Sequence, residues 1–366
     1  MTNEWQVGSI ARVKRPSHPK AFGKAMIAMM DSSNDAVSIL WEPASPQPLI
    51  TTDSSASANR FLVAPRISTK SGQKSSNNDN DDDEDETTVP LNELLPLMEF
   101  ETSSPETSND IGVLKEHGDA LLRAGDASAA VAYYEAALSR SCQDVMRSPS
   151  IGSSIILKTK GGYLKVAEID CVEKGDIAGS FSLDVAFVES GEEMEVSNST
   201  VVLGILMKDG EARLQERILL NLSRCLHQLA DIDEPKHRSA YLKGAILACS
   251  LAMVLAEFHG GAEDDNEAIA KSKGTLQSAL HLRAKAYILL SKWPHAKQDA
   301  KRLIQQGKEQ QGTSLLDNIE KRKQVQVKRD KKLAKAVAKL VQNVTADGER
   351  ASSLDGESRS DGRSLF

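Results

Sequence analysis

Across residues 111–140 apolar and small residues recur at helical spacing, first Leu114, Gly118, Leu121 and Leu122, then Ala130, Tyr134, Ala137 and Leu138. Two helices are predicted, each with one buried face. Gly125-Asp126 punctuates them, so they fold back as an antiparallel pair. Gly118 and Ala130 let the backbones approach closely, and Tyr134 fills the space towards a following pair. Such a pair cannot bury its face alone, and at least two more are expected. The pattern returns over 214–256, where Leu219, Leu222, Ser223, Leu226 and Leu229 share a face and Ala245, Cys249 and Ala252 take small positions. It returns again over 275–307, with Ala284, Tyr287, Trp293, Ala296 and Ala300 at packing positions and Pro294 in a first helical turn. The stretches DIDEPKHRS and EFHGGAEDDNEA are expected to be loops between these helices. One long helix is predicted over 314–344, with Leu333, Val337, Leu340, Val341 and Val344 on one face and Lys and Arg on the other. The polar tail, 345–366, is expected to be disordered.

Elsewhere the period changes from helical to alternating. VGSIARVK, GKAMIAMMD and AVSILWE predict three short strands within 5–42. A Ser-, Pro- and Asn-rich stretch ending in DNDDDEDE, about 51–88, cannot bury enough apolar surface to order itself. VPLNELLPLMEFE, 89–101, then returns to the same unit, so 1–101 reads as a small β-barrel with a disordered acidic insertion. Residues 151–206 repeat the plan: IGSSIILKT parallels VGSIARVK, YLKVAEIDCV parallels GKAMIAMMD, FSLDVAFVE parallels AVSILWE, and EVSNSTVVLGIL parallels TTVPLNELLPL. This is the pattern of an internal duplication whose second copy interrupts the helical series after its first pair. In size and strand rhythm both copies resemble SH3-like barrels of the Tudor or KOW kind. The inserted copy is expected to be separable, because insertion in a loop costs mainly loop-closure entropy.

The helical segments LKEHGDALLRAGD, ILLNLSRCLHQL, LHLRAKAYILLSKW and KRDKKLAKAVAKL, in that order, resemble the three-repeat tetratricopeptide (TPR) module and terminal helix of the large immunophilins and related co-chaperones. His117 stands where that pattern usually has Leu. No matching prolyl isomerase sequence flanks the module. The implied fold class is an α+β multidomain chain: a three-repeat TPR array with a long C-terminal capping helix, interrupted by one small β-barrel and preceded by another.

In that family a carboxylate clamp of Lys, Arg and Asn grips the C-terminal carboxylate of heat-shock chaperones through charge-assisted hydrogen bonds. The resemblance carries Lys115 and Asn221 over unchanged but puts Asp119 in place of Asn, and Ser278 and Leu282 in place of Lys and Arg. Arg283 and Lys285 lie beside these positions on neighbouring helical directions. A chaperone peptide is therefore expected to meet a weakened clamp, because Asp119 repels its carboxylate and two cations are missing.

Charge and composition narrow the function without naming a ligand. The net charge of −7 hides an acidic run over 79–86 and a basic segment over 321–339. The four cysteines, Cys142, Cys171, Cys225 and Cys249, show no metal-ligand spacing, and no nucleophile-base pair or phosphate loop is evident. No catalytic residue, cofactor or metal is expected. The N-terminus lacks an apolar signal region, and no stretch is expected to span a membrane. The chain is expected in the cytoplasm, with the nucleus the other compartment open to it. The leading reading is a non-catalytic scaffold or co-chaperone-like adaptor that binds a partner peptide or helix in the groove. The alternative is a reader or nucleic-acid-associated factor using the barrels, although nucleic acid is not an expected partner; a diverged immunophilin-type isomerase ranks below both. The basic terminal helix also reads as a calmodulin or anionic-membrane target, but a cap whose apolar face is covered by the third pair is preferred.

Overall fold

The computed structural model describes residues 5–7, 9–14, 22–31, 36–41, 87–90, 94–95, 110–159, 161–174, 181–197, 200–206, 212–232, 235–262 and 266–356. Within them the chain is mixed α and β, with seven helices and two antiparallel sheets.

The first sheet contains β1 (Ile10–Lys14), β2 (Phe22–Asp31), β3 (Ala36–Trp41) and β4 (Thr87–Pro90), paired in that order. Leu95 then bridges back to Arg12 of β1 through two backbone hydrogen bonds of 2.8 and 2.9 Å. The apolar segment after the acidic insertion thus rejoins the unit. Alternate side chains form its core: Ala11, Val13, Ala25, Ile27, Val37, Ile39, Val89 and Leu94, as a period of two requires. The acidic insertion itself lies outside the described residues.

The second sheet contains β5 (Ser154–Lys158), β6 (Leu164–Lys174), β7 (Phe181–Phe187), β8 (Glu193–Ser197) and β9 (Val201–Gly204), in the order β8-β7-β6-β5-β9. The correspondence with the first sheet reaches single residues. In both, the second strand bulges, between Ile27 and Met29 and between Ile169 and Cys171. Ile27 N–H donates to the Ser9 carbonyl at 2.9 Å, and Ile169 N–H to the Ser153 carbonyl at 3.0 Å. Leu203 pairs with Ile156 as Leu95 pairs with Arg12.

The helices are α1 (Ile111–Arg123), α2 (Ala127–Arg147), α3 (Ala212–Ile232), α4 (Pro235–Ala262), α5 (Asn266–Leu289), α6 (Trp293–Gln305) and α7 (Glu309–Gly356). Asp110 caps α1 by accepting from Gly112 N–H at 2.7 Å and Val113 N–H at 3.2 Å. Each helix packs on the next, and α1, α3, α5 and α7 also touch in series to make one layer against α2, α4 and α6. Two glycines set the closeness of these contacts. A Cβ on Gly118 would lie 2.7 Å from the Tyr134 ring, and one on Gly312 would lie 2.7 Å from the Ala300 carbonyl oxygen.

Several expected loops are helical instead. DIDEPKHRS is mostly absorbed into α3 and α4, and EFHGGAEDDNEA into α4 and α5, leaving only 233–234 and 263–265 outside the described residues. Pro235 opens α4, where a missing N–H costs no intrahelical bond. The first pair extends to Arg147 rather than residue 140, and the third begins at Asn266 rather than 275. Instead of covering only 314–344, α7 begins at Glu309 and continues through the expected disordered tail as far as Gly356.

The inserted sheet, expected to be separable, shares a buried cluster with the helices. Ile156, Val166, Leu203 and Ile205 belong to the same buried cluster as the helices, while Ile155, Leu157, Ala167 and Ile169 fill the sheet's own core. Gln215 of α3 is fully buried and locks the junction: its Nε2 donates to Ser141 Oγ at 3.0 Å and to the Gly204 carbonyl at 2.8 Å, and its Oε1 accepts from Leu206 N–H at 3.1 Å. Separating the sheet would expose apolar surface and orphan these groups, costs that loop-closure entropy does not include. A further correction concerns α4, which between His237 and Gly261 is apolar and long enough for a membrane span, with mean hydropathy 1.7. Tyr241, Leu242, Ala245, Ala248, Cys249, Leu251 and Leu255 are buried in the helical cluster, which makes α4 its central helix.

Candidate functional site

The helical layer α1-α3-α5-α7 carries a groove, and its residues fall into a sealed part and an open part. Asp119 of α1 is the centre of the sealed part. Its Oδ1 accepts from Tyr134 Oη at 2.6 Å and from Asn221 Nδ2 at 2.8 Å, and its Oδ2 accepts from Lys115 Nζ at 2.5 Å. Asn221 in turn accepts from Arg224. Burial works to raise the Asp119 pKa, but hydrogen bonds from Lys115 and Tyr134, the Lys115 charge and the Asn221 bond outweigh it and hold the carboxyl below its ordinary value. Burial, then the Asp119 bond, pushes Tyr134 far above the usual phenol range, so Tyr134 stays a donor.

These bonds bring Lys115, Asp119 and Asn221 together. Asp119, its side chain 27% exposed, is not a bare anion but the shared acceptor of Lys115, Tyr134 and Asn221.

The open part is a pair of hollows of about 490 and 420 Å³ that share Arg224 and Leu282 on their walls. Lys285 and Arg322 line the first, while Ser278 and Lys308 line the second. Ser278, Leu282 and Lys285 thus belong to the groove, although Leu282 divides it instead of binding charge. Arg224, Lys285, Lys308 and Arg322 are exposed, and Asp231 is the acid among the residues lining the hollows. The floor is tied together by His227, whose Nε2 donates to the Leu282 carbonyl at 3.0 Å. Burial is the main cause that lowers its pKa, leaving a neutral ring suited to that bond.

Arg283 does not belong to the site. It makes a two-pronged pair with buried Asp299, Nε to Oδ2 at 2.8 Å and Nη2 to Oδ1 at 2.6 Å, and its Nη1 donates to Ser250 Oγ at 3.0 Å. It joins α5 to α6 and α4. Arg224, His227, Lys308 and Arg322 were missed in the sequence. Arg224 could have been found, because it lies three residues after Asn221 on the same helical face. Lys308 and Arg322 could not, because their placement depends on where α7 starts and how it packs.

Three cysteines, Cys142, Cys225 and Cys249, are buried. Burial pushes the Cys142 thiol up to about 11 and Cys249 up to about 12, so both stay protonated and poorly nucleophilic near neutrality. Among the described residues no group of three His, Cys, Asp or Glu side chains could hold a metal ion. No protein-family model, curated protein or solved structure matches the chain.

Proposed function

We propose that the helical half is a TPR-type, non-catalytic scaffold whose groove binds an acidic segment of a partner protein, and that the two sheets are SH3-like units. The observation that carries this reading is the charge of the open groove: Arg224, Lys285, Lys308 and Arg322 against Asp231 alone on the walls. Exposed cations along an apolar-floored groove attract carboxylates and give orientation through charge-assisted bonds. The donors a terminal carboxylate would use, Lys115 and Asn221, each already give a hydrogen bond to Asp119. The groove therefore suits side-chain carboxylates along a segment better than the C-terminus of a heat-shock chaperone.

The SH3-like reading is supported by the strand order, in which the fifth element returns to the first strand in both copies. A reader role for the second sheet is not supported. Of the three aromatic rings there, Phe187 is buried in the sheet's own core and Phe181 is partly buried against it, which leaves Tyr163, 73% exposed, and one exposed ring does not make a cage. The scaffold reading is tested by fluorescence anisotropy with a labelled glutamate-rich peptide and an uncharged peptide of equal length. Binding of the acidic peptide alone, weakening as salt rises, supports it; equal binding or no binding of the two overturns it.

A further inference from the structure

The first part of α7 is anchored, because Leu315 and Ile319 are buried where it meets α5 and α6. Beyond them every residue from 320 to 339 is exposed, a bare rod of about 30 Å at the helical rise. Two residues expected to lie against the third pair do not do so: Leu333 is 65% and Val337 50% exposed. These two residues sit one turn apart, and Leu340, Val341 and Val344 continue the same stripe in sequence. Lys331, Lys335 and Lys339 project from the opposite side at the same period. Over 321–339 nine Lys or Arg face a single acid, Asp330, giving a local charge of +8 in a chain whose total is −7. Asp330 is engaged along the helix by Gln326, whose Nε2 donates to its Oδ1 at 2.9 Å.

We propose that this segment of α7 is a membrane-surface contact that lies flat on anionic lipid. Leu333 and Val337 enter the boundary of the acyl region, and the lysines on the far side stay in water within reach of the headgroups' negative potential. Charge and geometry choose this occupant. A second copy of the helix would bring two strongly positive rods together. A partner helix seated on the Leu333 stripe would leave the lysines facing away from it. A planar anionic surface takes up the stripe, and its negative surface potential, which reaches about 8 Å at physiological salt, attracts the lysines across the helix without their touching it. Arg322 also lines the groove, but none of the residues from Leu333 to Lys339 does, so contact through them does not depend on what the groove binds.

The test is sedimentation of the full chain with vesicles of phosphatidylcholine alone and of phosphatidylcholine mixed with phosphatidylserine. Binding to the anionic vesicles only is expected, with a loss of about tenfold or more in Leu333→Asp/Val337→Asp. Each lysine removed in Lys331→Gln/Lys332→Gln/Lys335→Gln is expected to cost about fivefold. All five side chains are exposed, so helical circular dichroism should be unchanged. Arg224→Glu/Lys285→Glu, in the groove, should bind vesicles normally. Equal binding to both vesicle types, no binding to either, or binding that survives Leu333→Asp/Val337→Asp overturns the proposal. So does a self-association in sedimentation equilibrium that Leu333→Asp/Val337→Asp dissolves.

Discussion

Asn221 donates to Asp119 at 2.8 Å across a sequence separation of 102 residues, with the whole second sheet lying between them in the chain. Together with Lys115 and Tyr134 this bond gives one half-buried carboxylate three donors. Removing the acceptor leaves all three short of a partner. Asp119→Ala should cost about 2–4 kcal/mol, because the orphaned donors lose charge-assisted bonds. Asp119→Asn keeps one acceptor oxygen and should cost less. Urea unfolding of both variants measures the difference.

The same arrangement predicts how the groove treats chaperone peptides. Unmodified protein should bind a heat-shock chaperone C-terminal peptide weaker than about 100 μM, since each lost charge-assisted bond costs on the order of 1.5–3 kcal/mol. The triple variant Asp119→Asn/Ser278→Lys/Leu282→Arg should gain at least about tenfold. Calorimetry decides, and no gain would mean that these positions do not act on one ligand.

Gly118→Ala sets two effects of known size against each other. Alanine gains about 1 kcal/mol in helix propensity, but its Cβ would meet the Tyr134 ring at 2.7 Å. Overpacking costs about 1–3 kcal/mol, and the ring is held by its bond to Asp119. Net destabilisation is expected in thermal melts, and adding Tyr134→Leu, which removes the ring, should make the alanine favourable.

How much of this was legible beforehand depends on how far the deciding contact lies along the chain. The spacing of Leu114, Gly118, Leu121 and Tyr134 is local, and α1 and α2 follow from it. The strands also follow from local alternation, and their pairing follows from the likeness of the two copies. The Asp119 network was hidden because its third donor lies beyond the inserted sheet. Integration of that sheet was signalled but not recognised. In β5 the run Ser154, Ile155, Ile156, Leu157 is buried throughout, and a strand that is apolar without alternation is covered on both faces. The equivalent place in β1 is Arg12, which is also buried but carries a charge, so the copies differ in residue type at that position. Helix ends were misplaced where Lys, Arg and Glu, all good helix formers, looked like loop polarity.

Integration of the sheet predicts one unfolding unit. Ile156→Ala should cost about 2–5 kcal/mol and lower the helical transition together with the sheet's. Replacing 141–209 by a Gly/Ser linker should abolish cooperative unfolding of the helices, read by circular dichroism in urea. Helices that unfold cooperatively without the sheet would contradict the shared core.

Acid should loosen the groove before it unfolds the whole chain. Burial lowers the His227 pKa below the ordinary 6.5, with the Lys285 charge adding to it and the Leu282 bond opposing. The folded state then binds fewer protons than the unfolded state. This contribution is complete above pH 6.5 and is lost as pH falls through the folded value. His281, lowered by burial, Lys285 and His227, acts in the same direction. Asp119 follows at lower pH: its folded pKa lies below 3.8, so its stabilisation is present above 3.8 and disappears as pH falls through the folded value. Thermal melts between about pH 7 and about pH 5 should therefore show falling stability, and His227→Gln, which keeps a donor for the Leu282 carbonyl, should flatten the slope.

The central claim is that the groove holds an acidic segment with its open cations and not with the donors gathered on Asp119. Titration calorimetry of one glutamate-rich peptide into three proteins addresses it directly. Arg224→Glu/Lys285→Glu should lower affinity by about a hundredfold relative to the unmodified chain, as two reversed charges beside a polyanion require. Lys115→Ala, corrected for any unfolded fraction, should leave it within about threefold, since Lys115 is already committed to Asp119. Full binding by Arg224→Glu/Lys285→Glu, together with its loss in Lys115→Ala, would contradict the account.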